Sequence, residues 1–248
     1  MKPLEDNGVL YKAAEMLRAD TYGGMAMVSS KGWEWEKANP VYWSKPSEDG
    51  VYFAHRWSGE GCRDVLDLGA GLGRHAIHFA KQGLTVSAMD ISEYAVNHMK
   101  EWAAREQVKI QAVAGDMTAL PYADASFDCV FVYHAISHSD TAGVQKVVRE
   151  IERVLRPGGQ LFTSMCSKES WEYTRSGFPR LDENTVVCSD NGPEQDVPHF
   201  FADVDDILGL FANFTIEKIR HVDYCYLNGK KQDSKYYYLN GYKAAPQN

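Results

Sequence analysis

Long hydrophobic runs are missing from this 248-residue chain, and no apolar stretch approaches the ~20 residues a membrane helix needs. The opening MKPLEDNG lacks the apolar core of a secretory leader, so neither a membrane span nor export is expected. Basic runs are absent as well. The longest is Lys230-Lys231, and 26 Lys and Arg face 34 Asp and Glu, for a formal net charge of −8. Nucleic-acid binders generally carry a basic patch, so DNA and RNA are poor partners and a small molecule is expected instead. Cysteine is sparse and scattered. Cys62, Cys129, Cys166, Cys188 and Cys225 are odd in number and form no C-x-x-C, which reads as reduced thiols in the cytoplasm. Repeats and low-complexity tracts are lacking too. At 44% hydrophobic, the chain can fill the core of one α/β domain. Its oligomeric state is left open.

What is present is concentrated in Val65-Leu66-Asp67-Leu68-Gly69-Ala70-Gly71-Leu72-Gly73-Arg74 and, further on, Asp90. A hydrophobic strand runs into a glycine-dense turn, and a helix is expected from Arg74 to about Gln82. Glycines let the backbone turn sharply and approach a ligand that a Cβ would repel. The helix N-terminus offers free N–H groups to polar or anionic ligand atoms. Asp90 closes the next apolar run, where its carboxylate can accept both hydroxyls of a ribose. A nucleoside-bearing ligand follows. The dinucleotide fingerprint G-x-G-x-x-G would need a glycine where Arg74 stands. A nicotinamide-dependent oxidoreductase is therefore the weaker reading. Asp67, ahead of the first glycine, suits a ligand with a cationic amino-acid end better than a pyrophosphate.

The D-x-G-x-G-x-G spacing resembles motif I of the class I S-adenosylmethionine-dependent methyltransferases. GDMTALPYADASFDCVFVYHAISH (Gly115 to His138) and IERVLRPGGQLFTS (Ile151 to Ser164) are similar to that family's later blocks, in the same order. The likeness is close over 61–165 and looser at the ends. Within the family the chain looks like bacterial small-molecule methyltransferases, with some similarity to the tellurite-resistance and thiopurine group. The resemblance implies a doubly wound, Rossmann-like, seven-stranded sheet of order 3-2-1-4-5-7-6, its last strand antiparallel, with helices on both faces. It also implies S-adenosylmethionine as cofactor and S-adenosylhomocysteine as product. On the same basis Asp67, Gly69, Ala70, Gly71 and Gly73 cradle the methionine part, with Arg74 at the start of the helix. Asp90 holds the ribose, Ile91 lies against the adenine, Asp116 accepts the adenine amine beside Met117, and Tyr133 stands near the sulfonium. A methyltransferase-like protein that binds the cofactor without turnover would share all of these features.

Methyl transfer is an in-line displacement that needs the nucleophile and methyl aligned about 3 Å apart with water excluded. A base is required only for a nucleophile that keeps its proton at neutral pH. His134 and His138, just beyond strand 4, are the candidates, and would share one face if their segment were helical. No acidic or cysteine partner has spacing that would make them a metal pair, so no metal is expected. His75 and His78 read as packing residues. Trp43, Trp171, Tyr173, Arg175 and His199 are candidate acceptor-pocket residues.

Residues 1–60 are rich in aromatics and turn formers and are read as a cap over the cleft; 61–248 would form the catalytic domain. Strands are expected near 63–68, 84–89, 109–114, 128–133 and 159–165. Helices are expected at 92–106, 141–156 and 203–213. The stretch 166–200 is read as a long irregular loop over the cleft. Asn228-Gly229 signals a terminal hairpin.

Overall fold

The computed structural model describes residues 31–39, 41–227 and 230–244. Strand β1 (Asp64–Leu68) is the centre of the sheet because four of its five residues are apolar or shielded, with Val65, Asp67 and the leucines all buried. It pairs in parallel with β2 (Thr85–Asp90) on one side and β4 (Phe127–Val132) on the other. β3 (Ile110–Ala114) extends the sheet beyond β2, and β5 (Leu155–Ser167) extends it beyond β4. β9 (Lys230–Lys243) then runs antiparallel to β5 from Gln160 to Cys166, and β8 (Phe214–Leu227) runs antiparallel to β9. The path β3-β2-β1-β4-β5-β9-β8 is the expected seven-stranded order with its antiparallel penultimate strand.

Two further strands raise the count to nine. They arise where a plain loop was expected. Residues 166–200 hold a one-turn helix α5 (Trp171–Thr174) and the strand β6 (Thr185–Val187), which pairs antiparallel with β7 (Pro198–Ala202). β7 joins the end of β5 through Cys166↔Phe201 and Ser167↔Ala202. The Thr-Val-Val and His-Phe-Phe segments form this hairpin because their apolar members bury against Cys166 and Tyr236. The Asn228-Gly229 turn lies outside the described residues, but β8 and β9 stay paired to Leu227↔Lys230.

The helices cap as their sequences suggest. Ser47 accepts from Gly50 N–H to start α1 (Glu48–Gly59), and Ser92 accepts from Ala95 N–H to start α3 (Glu93–Arg105). Asp140 accepts from Gly143 N–H to start α4 (Thr141–Val154), and Asp203 forms a reciprocal capping box with Asp206 at α6 (Val204–Leu210). α2 (Arg74–Lys81) follows the glycine turn. α1, α2 and α3 cover one face with Phe53, Trp57, Phe79 and Met99. α4 and α6 cover the other with Val144, Val147, Ile151 and Ile207. Helices change sides between β1 and β4, and there the carboxyl ends of the strands open into a cleft. Among the described residues no helix is long and apolar enough to cross a membrane.

Candidate functional site

The cleft has a volume of about 1490 Å³ and is lined by the glycine turn, the ends of β2 and β4, the 188–194 segment and residues 31–43. A space of this size exceeds that of most single-ligand pockets, so cofactor and acceptor can share it. Gly69, Ala70 and Gly71 face it. Gly71 has φ +55°, and a Cβ there would lie 2.5 Å from the Trp35 ring, so only glycine permits this approach. Gly73 does not face the cleft. Its φ of +95° starts α2, and a Cβ there would meet Met99 at 2.4 Å, so glycine is also required by packing.

Asp90 is buried at the end of β2. Its Oδ2 accepts the Gly71 N–H at 2.8 Å and its Oδ1 the Ser92 N–H at 2.9 Å. The Trp35 side chain also hydrogen-bonds to it, and burial nevertheless raises its pKa. Asp67 is buried behind the turn and is not among the residues that line the cleft. Its carboxylate accepts the Ala76 N–H and so ties β1 to α2. Its Oδ2 is buried without a hydrogen-bond partner among the described residues. Burial lifts its pKa to about 7, aided by Asp90 and opposed by the Ala76 N–H and Arg74.

Residues 31–39 and 41–43 cross the mouth of the cleft. The Gly32 backbone lies against Ile91, Trp33 stacks on His138 with ring centres 5.9 Å apart, and Trp35 covers Gly71. The Glu34 N–H donates to Pro193 O at 3.0 Å and Lys31 Nζ to Gln195 O at 2.8 Å. Trp43 stands under the Arg74 guanidinium at 4.6 Å, and the same guanidinium is 5.3 Å from the Tyr133 ring. Among the described residues no carboxylate pairs with Arg74. Sequence reading found Trp43 but passed over Trp33, Trp35 and Gly32. Their only signal was an excess of rings in a turn-rich segment.

His134 and His138 both line the cleft, but not from one helix face. His134 has φ +54° in a turn, and the His138 N–H bonds back to Ala135 O at 3.0 Å, so the segment cannot continue as a helix. His134 stacks between Tyr133 and Tyr236, with ring centres 4.3 and 4.2 Å away. Its Nε2 is 2.7 Å from Tyr238 Oη, which in turn is 2.7 Å from Tyr224 Oη. Burial, with Arg74 nearby, pulls its pKa down to about 3. His138 is also held well below the ordinary histidine range, by burial and by His199 and His134. Both imidazoles are therefore neutral at physiological pH. The polar wall of β8 and β9, Tyr224 and Tyr236 backed by the buried Tyr238, had no motif to announce it and enters through the long-range hairpin.

Asp116 and Met117 reach the cleft from the turn after β3, where Asp116 Oδ1 accepts the Thr118 N–H at 2.8 Å. Trp171, Arg175 and His199 line the far end, with Arg175 ion-paired to Asp233. Tyr173 does not line it. Its hydroxyl donates to Glu183 O at 2.9 Å and its ring packs on Phe201 and under Arg180, so it braces the hairpin. His75 accepts the Ser47 N–H at 3.1 Å and is buried, as expected of a packing residue.

The strand order defines first a Rossmann-like, doubly wound fold. Residues 65–159 match the family described as methyltransferase domain. The chain is 36% identical over 111 residues to sterol 24-C-methyltransferase ERG6B of Gibberella zeae, covering 44% of this chain and 29% of that protein. It is 34% identical over 119 residues to the malonyl-[acyl-carrier protein] O-methyltransferase of Enterobacter lignolyticus, covering 48% and 45%. The chain thus spans less than half the length of these curated relatives. Among solved structures, a Methanosarcina mazei S-adenosylmethionine-dependent methyltransferase superposes with a TM-score of 0.64 at 18% identity, covering 84% of this chain and 99% of that one. A Burkholderia thailandensis 1,6-didemethyltoxoflavin-N1-methyltransferase with bound 1,6-didemethyltoxoflavin and S-adenosylhomocysteine gives 0.60 at 20% identity, covering 98% and 93%. TehB from Haemophilus influenzae gives 0.60 at 16% identity, covering 80% and 62%. Residues 65–159 thus match a methyltransferase domain, and the fold is that of solved S-adenosylmethionine-dependent methyltransferases. S-adenosylmethionine is the cofactor of that class, and a cleft bounded by a close-approach glycine and a buried acid fits it.

Proposed function

We propose that this protein is an enzyme that moves the methyl group of S-adenosylmethionine to a small-molecule acceptor by in-line displacement. The observation carrying this reading is a single cleft walled by Gly69–Gly71 and Asp90 at one end and by His134, His138 and His199 at the other. In the proposed complex Asp90 exchanges the Trp35 indole for the ribose hydroxyls. Ile91, Asp116 and Met117 surround the adenine. The guanidinium of Arg74, without a carboxylate partner, meets the methionine carboxylate, and Asp67 holds the turn from behind. Tyr133 lies beside the sulfonium. The acceptor heteroatom (O, N, S or a heavier chalcogen) forms its bond to the methyl carbon as the C–S bond breaks, and the bonding pair returns to sulfur to give S-adenosylhomocysteine.

His134 is a weak base, because a neutral imidazole whose conjugate acid has a pKa of about 3 takes up a proton poorly at neutral pH. The acceptors favoured are therefore those that present a lone pair without help: thiolates, selenolates, other soft anions or unprotonated amines. With its five thiols free, the protein fits a reducing, cytoplasmic setting. The test is release of S-adenosylhomocysteine from S-adenosylmethionine in the presence of thiol, selenol, amine and hydroxyl acceptors. Turnover with the soft acceptors supports the proposal. Tight S-adenosylhomocysteine binding with no turnover on any of them would favour a binding protein instead.

A further inference from the structure

His138, Glu194 and His199 come from three separate segments, the turn after β4, the loop before β7 and β7 itself. Their ligand-bearing atoms nevertheless all lie within 4.8 Å of one another. A tetrahedral site with bonds of about 2.0–2.1 Å needs ligand atoms roughly 3.3 Å apart, so small side-chain rotations would close the set. The surroundings leave these atoms available. His199 Nδ1 is 3.0 Å from Val197 O, which can only accept, so Nδ1 donates there and Nε2 is the ring atom left to face a ligand. That Nε2 faces Glu194 Oε2 at 3.9 Å. No N–H or O–H of the described residues reaches the Glu194 carboxylate, and the ring nitrogens of His138 have no hydrogen-bond partner among them either. The His138 and His199 rings are 4.9 Å apart and nearly perpendicular, which lets two lone pairs aim at one point.

We propose that these three side chains bind one divalent first-row transition-metal ion at the acceptor end of the cleft. Two imidazoles and one carboxylate suit zinc, cobalt or iron(II) rather than magnesium or calcium, which prefer all-oxygen shells. The Val197 carbonyl supplies the outer-shell contact that fixes a metal-binding histidine. Three protein ligands leave a position open towards the cleft, where an acceptor heteroatom can coordinate. Coordination releases its proton to solvent and presents it as an anion. The metal site does not depend on the methyltransferase reading and can be tested without turnover.

Untagged protein, stripped with chelator and kept reduced, is titrated with Co²⁺ alone and then with Zn²⁺ as competitor. The expected result is one equivalent of Co²⁺ with visible ligand-field bands and no thiolate charge-transfer band, displaced by Zn²⁺. His199→Ala, His138→Ala and Glu194→Gln should each weaken it by roughly 100-fold or more, at least the loss that follows removal of an outer-shell partner. S-adenosylhomocysteine binding and circular dichroism verify that each variant folds. Glu194→Gln, the closest in shape, carries the conclusion if a histidine variant does not fold. Absence of ligand-field bands would overturn the proposal. So would Co²⁺ binding that persists in all three variants, or bands dominated by thiolate from Cys166 or Cys188, which also line the cleft.

Discussion

Asp67 and His134 are both shielded from water, and burial moves their titrations in opposite directions. Asp67 keeps its proton in the folded protein up to about pH 7, against an ordinary value of 3.8. Its contribution to stability is therefore complete below the unfolded value and disappears as pH rises through the folded one. Asp67→Asn cannot ionise. It should gain stability over the wild type as pH climbs from about 4 to about 7 and hold a constant advantage above that, read from urea midpoints across the range. An advantage that did not vary with pH would mean that the carboxylate is ionised in the fold. His134 works in the other direction. Its folded value of about 3 lies below the ordinary 6.5, so its stabilising contribution is present above 6.5 and is lost as pH falls towards 3. His134→Gln should lose that acid-side dependence. Activity should change little in this variant with a thiolate acceptor, because the imidazole has no proton to take. A loss of 10²–10⁴-fold in rate would instead make it a general base.

At the scale of elements, the segment 31–43 and the helix α1 belong to the same N-terminal stretch but do different work. α1 is core. Trp57 is fully buried, packs against Phe53 and Phe79, and donates its indole N–H to Gln160 Oε1 at 3.0 Å. Trp57→Ala should cost about 3–5 kcal/mol in chemical denaturation, the usual loss for a buried large aromatic. The strap of residues 31–43 instead occupies ligand space, with Trp35 against Gly71 and bonded to Asp90. If the ribose takes the place of that indole, Trp35→Ala should bind S-adenosylhomocysteine several-fold more tightly, and the ligand should change hydrogen exchange in 31–39 and around 188–197. Weaker binding in the variant would mean that Trp35 closes over the ligand rather than competing with it. Strands β1 to β5 were legible because each holds an apolar run bounded by turn residues, and α3 and α4 because an apolar period runs between a start and a stop signal. The β6–β7 hairpin was not legible. Its strands are only three and five residues long, and they form by burial against β5 and β9, which no local pattern encodes.

For the whole molecule, the cofactor end of the cleft was readable because its residues cluster within motifs: Gly69 to Gly71, Asp90, Asp116 and Tyr133 are each placed by the strand they follow. The acceptor end was only half readable. His134 and His138 stood out, but Glu194 and the tyrosines of β8 and β9 arrive from distant sequence, brought in by register pairs such as Thr163↔Leu239 and Cys166↔Tyr236. Asp67 and Gly73 sit in the same motif but are placed behind the turn and at the start of α2, not among the residues that line the cleft. The central claim is that Gly71 and Asp90 form a nucleoside site for S-adenosylmethionine. The direct measurement is calorimetry of the wild type, Gly71→Val and Asp90→Ala with S-adenosylhomocysteine and with NAD. The account predicts binding of S-adenosylhomocysteine and not of NAD to the wild type. Loss of hydrogen bonds worth about 1.5–3 kcal/mol each should weaken Asp90→Ala by at least roughly 10-fold, and Gly71→Val should show no measurable binding. Equal S-adenosylhomocysteine affinity in all three proteins, or preference for NAD, would contradict it.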